Sequence, residues 1–165
     1  MDIRRFHSIC YFACLLVLVG SVYLQYGMGL SPCVLCWLQR GIVGSLALVL
    51  LVRIFHNPSH RWAYWCYAAA LLFLPTMGGL LAGYHVWLQH QPVQAQAQCL
   101  PSLGYLWSHV SWLEFIHRLV EQHQGCVQVM WSFLHLSIPA WLLVFYGVLG
   151  VALVWGALRY RRALR

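Results

Sequence analysis

Residues 138–158 read I-P-A-W-L-L-V-F-Y-G-V-L-G-V-A-L-V-W-G-A-L, a run of 21 residues without a charged side chain. The hydrocarbon core of a bilayer is about 30 Å thick, and an α-helix needs roughly 20 residues to cross it. A helix over this stretch is therefore predicted to span a membrane.

Three further apolar stretches have comparable length, at residues 9–26, 36–52 and 63–88. The chain of 165 residues is 62% hydrophobic and only 8% charged, whereas a soluble domain carries roughly 25% charged residues. Because the four stretches leave little chain for a separate soluble domain, we expect one integral membrane domain over residues 1–165. The predicted fold class is an all-α bundle of four transmembrane helices.

The first apolar stretch follows Arg4 and Arg5, an arrangement that secretory signal peptides share. It is longer than a typical signal-peptide core, and residues 20–32 offer no A-x-A-like cleavage site. We therefore expect this stretch to be retained as the first span.

The arginines lie mainly at one end of the predicted bundle. Short cytoplasmic loops and tails collect positive charge, so both termini are predicted to be cytoplasmic. A short loop at residues 27–35 and a long loop at residues 89–137 then lie on the opposite side, which is the periplasmic side if the membrane is a bacterial inner membrane. The net charge of +7 is explained by the anionic cytoplasmic leaflet, and no nucleic-acid partner is expected. The eight arginines on the cytoplasmic side are Arg4, Arg5, Arg53, Arg61, Arg159, Arg161, Arg162 and Arg165.

Four of the seven cysteines fall on the predicted periplasmic side, where disulfides persist. Cys33 and Cys36 form a C-x-x-C at the start of the second span, after the helix breakers of residues 27–32, while Cys99 and Cys126 lie in the long loop. The remaining three lie in predicted spans, where a reduced thiol acts as a small hydrophobic residue: Cys10, Cys14 and Cys66.

A C-x-x-C serves as a reversible disulfide, as half of a zinc site or, when His follows, as a covalent haem attachment. Residue 37 is Trp, which excludes the attachment. A non-covalent haem is disfavoured because no two histidines are predicted to face each other deep in the spans. Two inert structural disulfides and a zinc site of four cysteines stay open. The oxidising compartment favours disulfides, so we expect no metal ion.

Arg40 follows Cys36 by four residues and so lies on the same helix face, one turn further on. An arginine within a span costs at least about 2.5 kcal/mol near the bilayer centre and marks a candidate functional site; extension to the lipid headgroups is the alternative. Beside a C-x-x-C, a guanidinium favours the reactive thiolate and can bind a polar ligand at the membrane edge. A quinone, as a lipid-soluble electron acceptor, fits this position.

Three segments together resemble the bacterial disulfide bond formation protein B (DsbB) family. They are P-C-V-L-C-W-L-Q-R at residues 32–40, G-Y-H-V-W-L-Q at 83–89 and W-S-F-L-H-L-S-I-P-A-W at 131–141. The resemblance covers almost the whole chain. One departure is Gln39, since some relatives have an acidic residue immediately before the arginine.

The resemblance implies a protein-disulfide oxidoreductase that reoxidises a periplasmic thioredoxin-fold oxidase of the DsbA type. It implies that Cys99 and Cys126 form the pair facing that partner, and that Cys33 and Cys36 form the pair next to ubiquinone or menaquinone. It further implies that Arg40 contacts the quinone. His85 falls where the family has a second quinone-associated residue, which makes it a candidate quinone contact; a histidine at the membrane interface is the alternative interpretation.

The long loop contains its own periodic segment. Leu106, Val110, Leu113, Ile116 and Val120 recur at helical spacing, which predicts a short helix on the membrane surface or packed on the bundle. Residues 91–98, with Pro92 and four glutamines, are predicted to be flexible.

Overall fold

The computed structural model describes residues 3–30, 32–56, 61–90 and 131–163. Within these ranges the chain forms four long helices, α1 (Ile3–Tyr26), α2 (Val34–Phe55), α3 (Arg61–Gln89) and α4 (Ile138–Ala163). A two-residue antiparallel hairpin, β1 (Ser132–Phe133) and β2 (Leu136–Ser137), precedes α4. All four helices are long and apolar enough to cross a membrane, which confirms the predicted fold class.

The helices pack in the order in which they follow one another in the chain. α1 lies against α2, α2 against α3, and α3 against α4, with a smaller contact that closes α4 onto α1. Large apolar side chains such as Leu16 and Val151 are about three-quarters exposed on the outer surface, at 73% and 72%. Such a surface is suited to lipid, which solvates apolar side chains.

Tyr146 on α4 contacts both α2 and α3 in the core. Its hydroxyl on α4 donates a hydrogen bond of 2.9 Å to the backbone carbonyl of Gln39 on α2. The ring lies against Gly78 on α3, where a Cβ atom would clash with it. Cys14 is fully buried in the same core and Cys10 nearly so, as expected for structural thiols. Cys66, by contrast, is exposed on α3.

The arginine-rich end of the bundle has its own polar packing. Arg53 is buried near the end of α2, and its guanidinium lies 5.8 Å from the centre of the Tyr67 ring on α3. His56 Nδ1 lies 2.7 Å from the Tyr67 hydroxyl. The Tyr64 hydroxyl donates to the carbonyl of Ala157, which links α3 to α4 at this end.

The turn between α1 and α2 positions the C-x-x-C. The N–H of Gly27 donates to the carbonyl of Tyr23 at 2.7 Å where α1 ends, and Gly29 takes a left-handed φ of +68° that suits glycine. Cys33 is the N-cap of α2, and its sulfur accepts the backbone N–H of Cys36 at 3.4 Å. The two cysteines therefore flank the first turn of α2, with their sulfur atoms on one side of it.

The predicted helix around residues 106–120 and the segment 91–98 lie outside the described residues. The four apolar stretches predicted at residues 9–26, 36–52, 63–88 and 138–158 each fall within one helix.

Candidate thiol redox site

The Cys33 and Cys36 sulfur atoms lie 3.2 Å apart. A disulfide bond is about 2.05 Å long, so the two sulfurs are not bonded in this structure but lie close enough for a small movement to join them. Both cysteines are partly exposed. Such a pair is suited to reversible oxidation, because little movement is needed to form the bond and an external group can reach the sulfurs.

His85, on α3, approaches this pair from the opposite helix. Its Nε2 lies 3.8 Å from the Cys33 sulfur, although the two residues are 52 positions apart in the chain. The imidazole is buried, with 2% of its surface exposed, and its Nδ1 has no hydrogen-bond partner among the described residues. His85 thus faces the thiol pair through one ring nitrogen.

Apolar packing fixes the two helices at this point. Leu35 in the first turn of α2 and Leu88 in the last turn of α3 are buried against each other, with Cys33 and Leu81 beside them. This small cluster holds the end of α3 against the start of α2. It therefore sets the distance between His85 and the cysteines.

Arg40 is held between α1 and α2. One terminal N–H group donates to Gln25 Oε1 at 2.6 Å, and the other donates to the Ser21 carbonyl at 3.0 Å. The guanidinium also lies 4.9 Å from the centre of the Trp37 ring. These contacts anchor the charge inside the bundle, one turn below the C-x-x-C, on the side facing α1.

Gln39 is a polar residue in the site region that sequence reasoning noted only as a departure from some relatives. Its side chain is fully buried, and neither amide atom has a hydrogen-bond partner within the described ranges. It lies three residues after Cys36 and so on nearly the same face of α2. That spacing was the signal in the sequence, but the packing that buries the amide is not specified by the pattern alone.

The hairpin before α4 closes the end of the bundle nearest this site. The Ser137 hydroxyl donates to Gln89 Oε1 at 2.6 Å, which joins β2 to the end of α3. Trp141 Nε1 donates to the Phe133 carbonyl at 3.1 Å. The hairpin turns through Leu134 and His135, both with positive φ.

The structure thus brings Cys33, Cys36 and His85 together and places Arg40 one turn away. Cys99 and Cys126 lie outside the described residues. Cys10 and Cys14 are buried in the core among apolar neighbours.

Four membrane-length helices with a C-x-x-C at the start of the second define an integral membrane thiol oxidoreductase. Comparison with known proteins identifies the family. Residues 3–156 match the family described as "Disulfide bond formation protein DsbB". The chain belongs to the DsbB family, and this confirms the resemblance inferred from its motifs.

Individual relatives are similar over nearly their whole length. Disulfide bond formation protein B of Marinobacter nauticus is 34% identical over 90% of this chain and 88% of the relative. The protein of the same name from Nitrosococcus oceani is 35% identical over 94% of this chain and 91% of the relative. Disulfide bond formation protein B 2 of Pseudomonas entomophila is 36% identical over 97% of this chain and 95% of the relative.

The family and the four helices make this chain a multi-pass inner-membrane protein. Its activity is that of a protein-disulfide oxidoreductase that supports disulfide bond formation.

Proposed function

We propose that this protein oxidises a periplasmic thioredoxin-fold dithiol of the DsbA type and delivers the electrons to ubiquinone or menaquinone. The observation that carries the proposal is the Cys33–Cys36 pair, with its sulfurs 3.2 Å apart at the start of α2, where the membrane-length segment Leu35–Phe55 begins. A thiol pair at the end of a membrane-length segment is suited to an acceptor that is dissolved in the bilayer.

The surroundings of the pair fit a quinone head group. Trp37 and Leu38 are 44% and 51% exposed beside Cys36, so an apolar ring can reach this face of α2 from the lipid. Arg40 supplies a cationic N–H donor next to Trp37, and His85 supplies a ring nitrogen beside Cys33. The Arg40 donor, together with His85 once its ring has accepted a proton, suits the two carbonyl oxygens that ubiquinone and menaquinone have in common, and when bound the quinone accepts two electrons and two protons.

The residues of this chain then act in two exchanges. A thiolate of the reduced partner attacks the Cys99–Cys126 disulfide, most directly at Cys99, and forms a mixed disulfide while Cys126 leaves as a thiolate. The second partner thiol resolves the mixed disulfide, which leaves the partner oxidised and the loop pair reduced. The loop pair next reduces the Cys33–Cys36 disulfide by the same chemistry, and the inner dithiol gives up its electrons to the acceptor.

Arg40 and His85 have different tasks in this scheme. The fixed positive charge of Arg40 favours the thiolate form of the inner pair and binds an acceptor oxygen. His85 Nε2 is placed to accept the proton of the Cys33 thiol.

The decisive experiment mixes the purified protein with a reduced thioredoxin-fold oxidase and a soluble ubiquinone or menaquinone analogue. We expect one quinone to be reduced for each disulfide formed in the partner. Quinone reduction is measured as the loss of quinone absorbance. Cys33→Ala and Cys36→Ala should each abolish this turnover. Cys10→Ala is the matched control, because it removes a thiol of α1 that faces the core; normal turnover in either inner-pair variant would falsify the relay.

A further inference from the structure

The dithiol form of the redox site places three metal-binding atoms together. The Cys33 and Cys36 sulfurs lie 3.2 Å apart, and His85 Nε2 lies 3.8 Å from the Cys33 sulfur. All three ligand atoms lie within 4.8 Å of one another. The sequence suggested zinc only through four cysteines, whereas the fold brings a histidine of α3 to the C-x-x-C of α2.

We propose that this cluster, in its dithiol form, binds a thiophilic divalent cation of the Zn²⁺ class. With Zn–S bonds of about 2.3 Å and Zn–N bonds of about 2.0–2.1 Å, tetrahedral coordination separates neighbouring ligand atoms by about 3.5–3.8 Å. The observed sulfur–sulfur distance of 3.2 Å is about 0.6 Å shorter than the tetrahedral value, and the sulfur–nitrogen distance of 3.8 Å is about 0.2 Å longer. Small rotations of the side chains therefore create a three-ligand site with the fourth position open.

Charge also fits the ion. On binding, both thiols lose their protons to solvent, and the two thiolates neutralise the two charges of the cation. The neutral imidazole adds a third bond without adding charge. A neutral complex is the form that costs least at a membrane boundary, where an uncompensated charge is expensive.

Affinity should be moderate. Structural zinc sites have four protein ligands, whereas this cluster offers three and leaves the fourth position open. The site is thus suited to reversible capture of the ion and not to permanent structural binding.

The ion and the disulfide compete for the same sulfur atoms. Oxidation to the Cys33–Cys36 disulfide removes both thiolate ligands, so only the dithiol form binds. This binding step is independent of the proposed quinone reaction. Its consequence, that a bound ion blocks reoxidation of the inner pair, rests on the proposed function.

The test uses the full-length protein in detergent with Cys99→Ser and Cys126→Ser, which removes the loop thiols as ligands. The protein is reduced with a phosphine, freed of reductant and titrated with Co²⁺ and then Zn²⁺. We expect one Co²⁺ per chain, with thiolate-to-cobalt charge-transfer absorption and the visible bands of tetrahedral cobalt, and displacement of Co²⁺ by Zn²⁺. The same protein oxidised to the disulfide should give neither signal.

Variants assign the ligands. Cys33→Ser and Cys36→Ser should each abolish the charge-transfer absorption, and His85→Phe should weaken Zn²⁺ binding about tenfold or more. Two controls match them. Cys14→Ala removes a buried thiol outside the cluster, and His90→Ala removes the neighbouring histidine of α3, whose Nδ1 lies 2.8 Å from the Val86 carbonyl; neither should change binding.

X-ray absorption identifies the ligand atoms of the bound zinc directly. It uses the zinc-loaded protein with His90 and Cys14 intact, so the result does not depend on whether the His85 variant folds. Two sulfur ligands and an imidazole support the site. Binding by the disulfide form, binding that survives Cys33→Ser, or a shell without imidazole would each overturn it. Quinone turnover measured without metal reports on the proposed function separately, so either conclusion can fail while the other stands.

Discussion

Contacts with α1 and with Trp37 hold the guanidinium of Arg40 in place. Gln25 and the Ser21 carbonyl bind its two terminal nitrogens from α1, and Trp37 lies beside it. Hydrogen bonds to a charged group typically contribute about 1.5–3 kcal/mol. These partners fix the position of the charge near the start of α2, which is where an acceptor oxygen would need it.

Replacing Arg40 should therefore impair quinone use. Arg40→Gln keeps a donor but loses the charge, and Arg40→Lys keeps the charge but loses the planar fork. We expect a higher KM for the quinone analogue in both variants, measured in steady-state turnover. The matched control is Arg53→Gln, because Arg53 is a buried arginine on the same helix about 20 Å further along it. Unchanged kinetics in Arg40→Gln would assign Arg40 a purely structural role and move the search for the acceptor site to His85.

Cys99 and Cys126 should differ in function although both belong to the loop. If the partner attacks the loop disulfide at Cys99, then Cys126 is the leaving thiol. A reduced partner whose second cysteine is replaced cannot resolve the mixed disulfide, so we expect it to stay bonded to Cys99 and to appear as a higher-mass band on a non-reducing gel. Cys99→Ala and Cys126→Ala are the controls and should give no such band, because each lacks the loop disulfide that the partner attacks. Peptide mapping that finds the partner on Cys126 would reverse the order of attack.

The individual site residues were predictable to different degrees. Three site residues lie within a segment of eight: Cys33, Cys36 and Arg40. Helix periodicity therefore already places the two cysteines at the first turn of a helix and the arginine on the following turn. His85 is 52 positions from Cys33, and only the family resemblance pointed to it. The anchoring of Arg40 by Gln25 could not be predicted, because it depends on the rotation of α1 relative to α2.

Contacts between helices rest on a few close approaches. A Cβ atom at Gly78 would overlap the Tyr146 ring, whereas one at Gly79 would lie 3.8 Å from the Tyr146 Cβ, an ordinary contact. Alanine also has the higher helix propensity, by about 0.8–1.0 kcal/mol relative to glycine. The two neighbouring glycines of α3 should therefore respond in opposite ways to the same change.

We expect Gly78→Ala to destabilise the protein by about 1–3 kcal/mol, the usual cost of overpacking a core. Gly79→Ala should be neutral or slightly stabilising. Tyr146→Phe removes the hydrogen bond to the Gln39 carbonyl and should cost about 0.5–1.5 kcal/mol. Thermal unfolding in detergent measures all three; equal loss in the two glycine variants would contradict the close packing of α3 against α4.

Hydropathy predicted the number and the class of the helices but not their ends. α1 begins at Ile3, six residues before the apolar stretch, because a helix continues through the interface where arginines remain solvated. Pro75 did not divide the third stretch. Pro75 leaves the Leu71 carbonyl without its usual N–H donor, and within a membrane neighbouring helices and hydroxyl side chains make such an interruption tolerable. The Thr76 hydroxyl donates to the next carbonyl, that of Leu72.

The two ends of the molecule differ in chemistry. Cys33 and Cys36 lie at the start of α2, and Arg53 lies near its end. A helix of 22 residues is about 33 Å long, comparable with the hydrocarbon thickness of a bilayer. The thiol pair and the arginine-rich end therefore face opposite sides of the membrane. Determining which side one end faces also determines the side that the other end faces.

The positive-inside rule predicts that the arginine-rich end is cytoplasmic. The C-terminus is then predicted to be cytoplasmic, because Arg159 in α4 and the arginines that follow it in the sequence lie there. The thiol pair is accordingly predicted to face the periplasm. Disulfide exchange with a secreted partner requires this orientation, since thiols in the cytosol are kept reduced.

Reporter fusions test the orientation. Green fluorescent protein fused after Arg165 should fluoresce in cells, and alkaline phosphatase at the same position should be inactive, because it needs an oxidising compartment to form its disulfides. Alkaline phosphatase inserted between residues 94 and 95 should be active, since the loop that carries Cys99 is predicted to be periplasmic. Immunoblots of fusion abundance control for expression. The opposite pattern, with an active enzyme at the C-terminus, would place the thiol pair in a reducing compartment, where a net oxidation of partner thiols through it could not be sustained.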